Sequence, residues 1–244
     1  MNDRKPIFVF VHGFLGFVRL PVPYVAIHYF RKIPELMDRL GVRYALVKVP
    51  AAKGVVARAT ALAGALADLG DGPLVLVGYS MGGLDARYLA ARLDPERRVR
   101  AVVTVGTPHR GSPIADALLR GEFAWMRPLA RLWRPALVDL SLPACAAFND
   151  AVPDRPDVRY VSFAASRPVP ELFALLRPFA SCFGRQDHDG QVALDSAAWG
   201  DCRAPFRADH YELIGWSLAP AAAAAAARPF PHLDLYRDIV REFS

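Results

Sequence analysis

The sequence predicts an α/β fold with a mostly parallel central sheet and helices on both faces. Three observations predict it. Apolar runs at 7–11, 42–49, 74–77, 99–105 and 160–164 alternate with segments of helical periodicity at 29–40, 55–69 and 83–93, the order in which a parallel sheet is built. The runs at 7–11 and 74–77 are apolar throughout instead of alternating with polar residues, as strands covered on both faces are. Finally, Gly78-Tyr79-Ser80-Met81-Gly82 falls where one run meets a helix, and parallel sheets gather their functional loops at such carboxyl ends. With 244 residues, 53% of them hydrophobic, the chain has enough apolar material for a single domain over 1–244.

In chain order, the strand at 7–11 leads into His12-Gly13-Phe14-Leu15-Gly16-Phe17. This glycine-rich turn is either an ordinary strand exit or a loop that points backbone N–H groups into a cleft. Beyond a proline-containing loop, 29–40 reads as a helix ended by Gly41, 42–49 as a strand, and 55–69 as an alanine-rich helix closed by Gly70-Asp71-Gly72-Pro73. The strand at 74–77, the pentapeptide, its helix and the strand at 99–105 follow. Gly106-Thr107-Pro108-His109-Arg110-Gly111-Ser112 then leaves at the same sheet edge, with His109 expected to be a structural loop histidine. Pro128 and Pro135 cut the segment at about 113–150 into short helical pieces. There Arg127, Arg131 and Arg134 are spaced for one face and Met126, Leu129, Trp133, Leu137 and Leu140 largely for another. Such a segment is a cap insertion, fixed or moving. The strand at 160–164 resumes the sheet, 167–183 is apolar and punctuated by prolines, 187–192 is turn-forming, 208–214 begins a further helical stretch, and 234–243 reads as the last helix.

Composition narrows the function classes. The formal charge is +6, but the basic residues are spread along the chain without a Lys/Arg block, so nucleic acid is not an expected partner. Three cysteines, Cys145, Cys182 and Cys202, lack metal-site spacing and read as reduced thiols. The first residues lack the pattern of a secretion signal and no apolar run approaches eighteen residues, the alanine tract at 221–227 included. A cytoplasmic protein is the expectation.

The chemistry rests on three residue types in order. In G-x-S-x-G at a strand-to-helix turn, the serine is strained outward, and the glycines lack β-carbons that would collide. A serine hydroxyl becomes a good nucleophile only when a histidine takes its proton and a carboxylate orients that histidine. Ser80, Asp189 and His210 occur in a suitable order. Rival bases are His188 and His232, and rival acids are Asp187, Asp195, Asp201 and Asp209, of which Asp187, on the same short turn as Asp189, is the most serious.

Taken together, the 12–17 turn, the Tyr29-Phe30…Ile33-Pro34 segment, Gly78 to Gly83, the 106–112 loop, Asp189-Gly190-Gln191-Val192 and His210 resemble the bacterial triacylglycerol lipases of the Pseudomonas and Burkholderia type, within the α/β-hydrolase superfamily. The resemblance covers most of the chain. It implies Ser80 as nucleophile, Asp189 as acid, His210 as base, and the backbone N–H groups of Phe14 and Met81 as the oxyanion hole. It implies a serine carboxylester hydrolase acting on lipidic or short-to-medium acyl esters, with brief contact to a lipid interface and no obligate protein partner. An acyltransferase, thioesterase or polyester depolymerase would use the same triad, and a non-catalytic lipid-binding protein on this scaffold is the reading from another class. The chain also departs from the family. At the positions that hold its structural calcium stand Val169, with Glu171 close by, Glu212 and Trp216, so no cofactor is expected. Asp195 stands where a second disulfide cysteine would be, leaving Cys182 and Cys202 as the pair that would have to replace it.

Overall fold

The computed structural model describes residues 5–22, 25–217 and 230–244; the alanine tract lies outside them. The central sheet has six parallel strands: β1 (Ile7–Val11), β4 (Arg43–Val47), β5 (Leu74–Tyr79), β6 (Val99–Val105), β7 (Arg159–Phe163) and β9 (Asp201–Cys202), in the spatial order β4-β1-β5-β6-β7-β9. Between β1 and β4, the loop expected from the prolines forms an antiparallel hairpin of β2 (Arg19–Val22) and β3 (Val25–His28). A second small pair, β8 (Ala165–Ser166) and β10 (Phe206–Arg207), is parallel.

The middle strands β1, β5 and β6 bury both faces, which explains their largely apolar runs. In β1, Phe8 and Phe10 point into one core, with Val75, Val77 and Tyr79 of β5 and Val103 and Val105 of β6. Ile7, Val9 and Val11 point into the other, with Leu74 and Leu76. The period of two thus divides one strand between two cores, each fully buried large side chain adding roughly 1.5–3 kcal/mol. On the first side lie α1 (Ile33–Leu40) and α9 (His232–Phe243); on the second lie α2 (Val55–Leu66) and α3 (Met81–Arg92).

The first helix is shorter than expected. Residues 29–32 stay outside it because Pro34 has to sit in the first turn, where no N–H is needed. Residues 208–214 likewise yield only a single 3-10 turn at Glu212–Ile214. The 113–150 segment is helical in pieces: α4 (Pro113–Arg120), α5 (Arg127–Leu132), α6 (Arg134–Asp139) and α7 (Leu142–Ala151), with α8 (Leu194–Ala197) later in the chain. Met126, Ala130, Leu137 and Leu140 pack against Met81 and Leu84 in the first turn of α3. Asp139 adds a polar tie, its Oδ2 accepting the Val55 amide at the start of α2. Leu129, expected on the buried face, is exposed.

Candidate active site

The pentapeptide makes the predicted turn. Ser80 lies between β5 and α3, as the N-cap of the helix, with φ 53° and ψ −131°, a conformation costing a non-glycine residue about 1–3 kcal/mol. Its neighbours hold it there. The Ser80 amide donates to Val105 O (2.9 Å), while Ser80 O accepts from the Gly83 amide (3.0 Å) and from the Thr107 hydroxyl (2.8 Å). Glycine is required on both sides because α3 runs close over the sheet: a β-carbon on Gly78 would lie 2.5 Å from Gly82 O, and one on Gly82 2.4 Å from Val11 O.

Asp189 and His210 come together from two loops. His210 Nδ1 is 2.6 Å from Asp189 Oδ2, and the His210 amide donates to Asp189 O at 2.9 Å. Asp189 Oδ1 accepts the amides of Gln191 (2.9 Å) and Val192 (2.8 Å), so the carboxylate is held from both ends. With Asp189 as acceptor, the proton belongs on Nδ1, leaving the Nε2 lone pair for a substrate-side proton. Both side chains are buried.

Tyr79 and Gly106 bring this pair to the serine's sheet edge. The His210 ring lies 4.9 Å from the Tyr79 ring, and Tyr79 Oη donates to His210 O at 2.9 Å. On the other side, a β-carbon on Gly106 would approach His210 Cε1 and Nδ1 to 3.3 Å. His210 is therefore wedged between the residue before Ser80 and the residue that follows β6.

The turn after β1 faces the same serine. A β-carbon on Gly13 would lie 2.8 Å from Ser80 Cβ and 3.3 Å from its Oγ, so the turn passes close to Ser80. Met81 is the first residue of α3, so its amide has no acceptor within the helix. His12 braces the turn: Nδ1–H donates to Gly13 O (2.9 Å) and Nε2 accepts the Val49 amide (3.2 Å). Burial lowers its pKa to about 4, so the ring is neutral. From below, Arg58 donates to His12 O (2.6 Å), Pro50 O (2.9 Å) and Asp85 Oδ2 (2.9 Å).

Sequence reading missed Tyr79, Thr107 and the Arg58–Asp85 pair. Only Arg58 left a signal: a basic residue within the Val55, Ala59, Leu62, Leu66 stripe that α2 buries.

The rivals are engaged elsewhere. Asp187 is exposed. His188 stacks on Phe183 at 4.2 Å and accepts the Gly190 amide, and the half-buried His232 has Nε2 at 2.9 Å from Arg31 O. Asp209 accepts the amides of Tyr211, Glu212 and Phe173. His109 is fully buried, bonded to Thr104 Oγ1 (3.0 Å) and stacked on Trp199; burial, with Arg87 and Arg110 nearby, holds its pKa well below the usual range.

The positions matching the calcium site do not fit that ion, which takes six to eight oxygen ligands. Val169 brings no carboxylate, Glu171 pairs with Arg207, Glu212 pairs with Arg167 at 2.9 Å, and Trp216 donates to Tyr29 O. No cluster of three or more His, Cys, Asp or Glu residues suited to a metal occurs among the described residues. All three cysteines are free thiols, and burial pushes Cys145 up to about 12.

Comparison with known proteins agrees with this architecture. The α/β hydrolase fold family model matches residues 55–143. Triacylglycerol lipase 2 of Saccharomyces cerevisiae is 30% identical over 59% of this chain and 46% of that protein, and the triacylglycerol lipase of Pseudomonas fragi is 34% identical over 48% and 39%. The chain thus matches less than half the length of these relatives. The crystal structure of the metagenomic carboxyl esterase MGS0156 superposes with a TM-score of 0.76 over 99% of this chain and 77% of that one, at 24% identity. The chain thus has the α/β-hydrolase fold and is similar over part of its length to triacylglycerol lipases.

Proposed function

We propose that the chain is a serine carboxylester hydrolase acting on lipidic or short-to-medium acyl esters. The observation that carries this is the 2.6 Å bond from His210 Nδ1 to Asp189, on a ring wedged beside the residue that precedes Ser80. In this reading His210 Nε2 takes the Ser80 proton as Oγ attacks the ester carbonyl, and Asp189 stabilises the imidazolium. The Phe14 and Met81 amides receive the developing oxyanion, in an interaction of the kind worth about 3–4 kcal/mol per donor. Collapse of the tetrahedral intermediate passes the His210 proton to the leaving alcohol and leaves an acyl-serine; water, activated by the same imidazole, then releases the acid.

The chain acts as one domain with 113–150 as its cap, and the cap gives the substrate preference. Trp125, Leu129 and Leu132 are exposed at 64%, 40% and 71%, interspersed with the exposed Arg127, Arg131 and Arg134. An apolar ridge among cations suits brief contact with a lipid surface. Three free thiols fit a reducing, cytoplasmic location.

Fluorophosphonate labelling followed by peptide mapping tests the assignment. The label is expected on the peptide holding Ser80, and Ser80→Ala is expected to remove p-nitrophenyl ester hydrolysis with the fold intact. Label elsewhere, or a variant keeping more than about a tenth of wild-type activity, overturns it.

A further inference from the structure

We infer that Arg167 is the positioning residue that fixes the acid loop against the base loop, serving with its guanidinium the place where the family resemblance would put a calcium ion. The inference rests on Asp189 and His210 acting as proposed above.

One residue reaches both loops. The Arg167 amide donates to His188 O at 3.0 Å, one residue before Asp189. Its Nη1 lies 3.0 Å from Glu212 Oε1 and 2.9 Å from Oε2, and its Nη2 donates to Arg207 O at 3.1 Å. Arg207 and Glu212 bracket His210. Glu212 carries the tie inward, because Oε2 also accepts the Asp209 amide at 2.9 Å. Asp209 in turn caps the turn through the amides of Tyr211 and Glu212, both at 3.0 Å.

The tie has work to do because neither loop is regular. The β8–β10 pair is two residues long on each side and ends at Ser166, next to Arg167, and at Arg207, three residues before His210. Beyond it, Arg167 continues the link with a planar fork that meets a carbonyl and a carboxylate at once, which a spherical ammonium on a flexible stem does not reproduce. Both partners of the ion pair have side chains 3% exposed, so solvent screens them little. The Arg167–Glu212 pair also occupies the carboxylate that a metal would need, while Val169 and Trp216 offer no side-chain oxygen. The cation is built into the chain.

The test compares wild type, Arg167→Lys, and Arg167→Met combined with Glu212→Gln, with rates expressed per active site titrated by fluorophosphonate burst. Wild type is expected to keep its rate and melting temperature in EDTA. In the variants, kcat per titrated site is expected to fall about tenfold or more with KM within about twofold. The downfield proton resonance of His210 Nδ1–H is expected to broaden or move in the double variant and to be partly retained in Arg167→Lys. Variants with fewer active sites but unchanged kcat and resonance per site would make Arg167 merely structural and overturn the inference. So would a wild-type loss in EDTA restored by calcium alone, an outcome that remains readable if both variants fail to fold. Absence of label on Ser80 in wild type would instead bring down the proposed function.

Discussion

Asp189 divides its carboxylate between two tasks: Oδ2 lies 2.6 Å from Nδ1 of His210, while Oδ1 accepts two amides of its own turn. The same contacts that stiffen the acid aim it at the base. Asp187, two residues earlier, is exposed and engages the turn only through its carbonyl, which accepts the Leu194 amide.

This asymmetry predicts the outcome of two conservative substitutions. Asp189→Asn is expected to lower kcat by up to about 10⁴, because an amide N–H facing Nδ1 favours the wrong imidazole tautomer. Asp187→Asn is expected to change it by less than about tenfold. Purified variants assayed on one p-nitrophenyl ester decide between them, and the reverse ranking would move the acid two residues upstream.

Gly13→Ala is expected to cost at least about a hundredfold in kcat, since the new methyl would stand 2.8 Å from Ser80 Cβ and push the oxyanion turn off the nucleophile. Tight fluorophosphonate labelling at the wild-type rate would show that the turn lies farther from the reaction than the geometry implies.

The neutral, buried His12 predicts acid sensitivity. Its folded pKa is lowered to about 4 from 6.5, so the unfolded chain binds more protons between those values. Stability is fully present above pH 6.5 and falls with pH toward 4, by about 3 kcal/mol for this group. Asp85 works in the opposite sense: its folded pKa is raised to about 6 by burial, so its stabilising share is present below its unfolded value of 3.8 and lost as pH rises through 6. The difference between wild type and His12→Gln isolates the histidine. Urea midpoints from pH 4.5 to 7.5 should fall less steeply with acid in the variant, and parallel curves would refute the assignment.

The exposed cap ridge predicts a substrate-dependent defect. Trp125→Ser with Leu132→Ser is expected to slow hydrolysis of an emulsified ester by about fivefold while leaving soluble p-nitrophenyl acetate within about twofold, because lost apolar area weakens contact only with a surface. Equal loss on both substrates would show that the ridge supports the fold instead.

Much of this protein was legible without coordinates. Residues 74–105 read directly as strand, turn, helix and strand, because burial on both faces demands unbroken apolar runs, and a helix lying 2.5 Å from where a Gly78 methyl would be demands glycine. The same local rules placed Ser80, Asp189 and His210 in order. What they left open was decided by contacts between residues distant in sequence. Asp187 and Asp189 are equivalent by composition, and only the fold turns one toward His210. Arg58 and Arg167 carry full charges, yet both are buried because Asp85 and Glu212 meet them from other elements. Sequence periodicity reports which face of an element is covered; it carries no information about which polar partner waits on the covering element, and that pairing belongs to the tertiary structure alone.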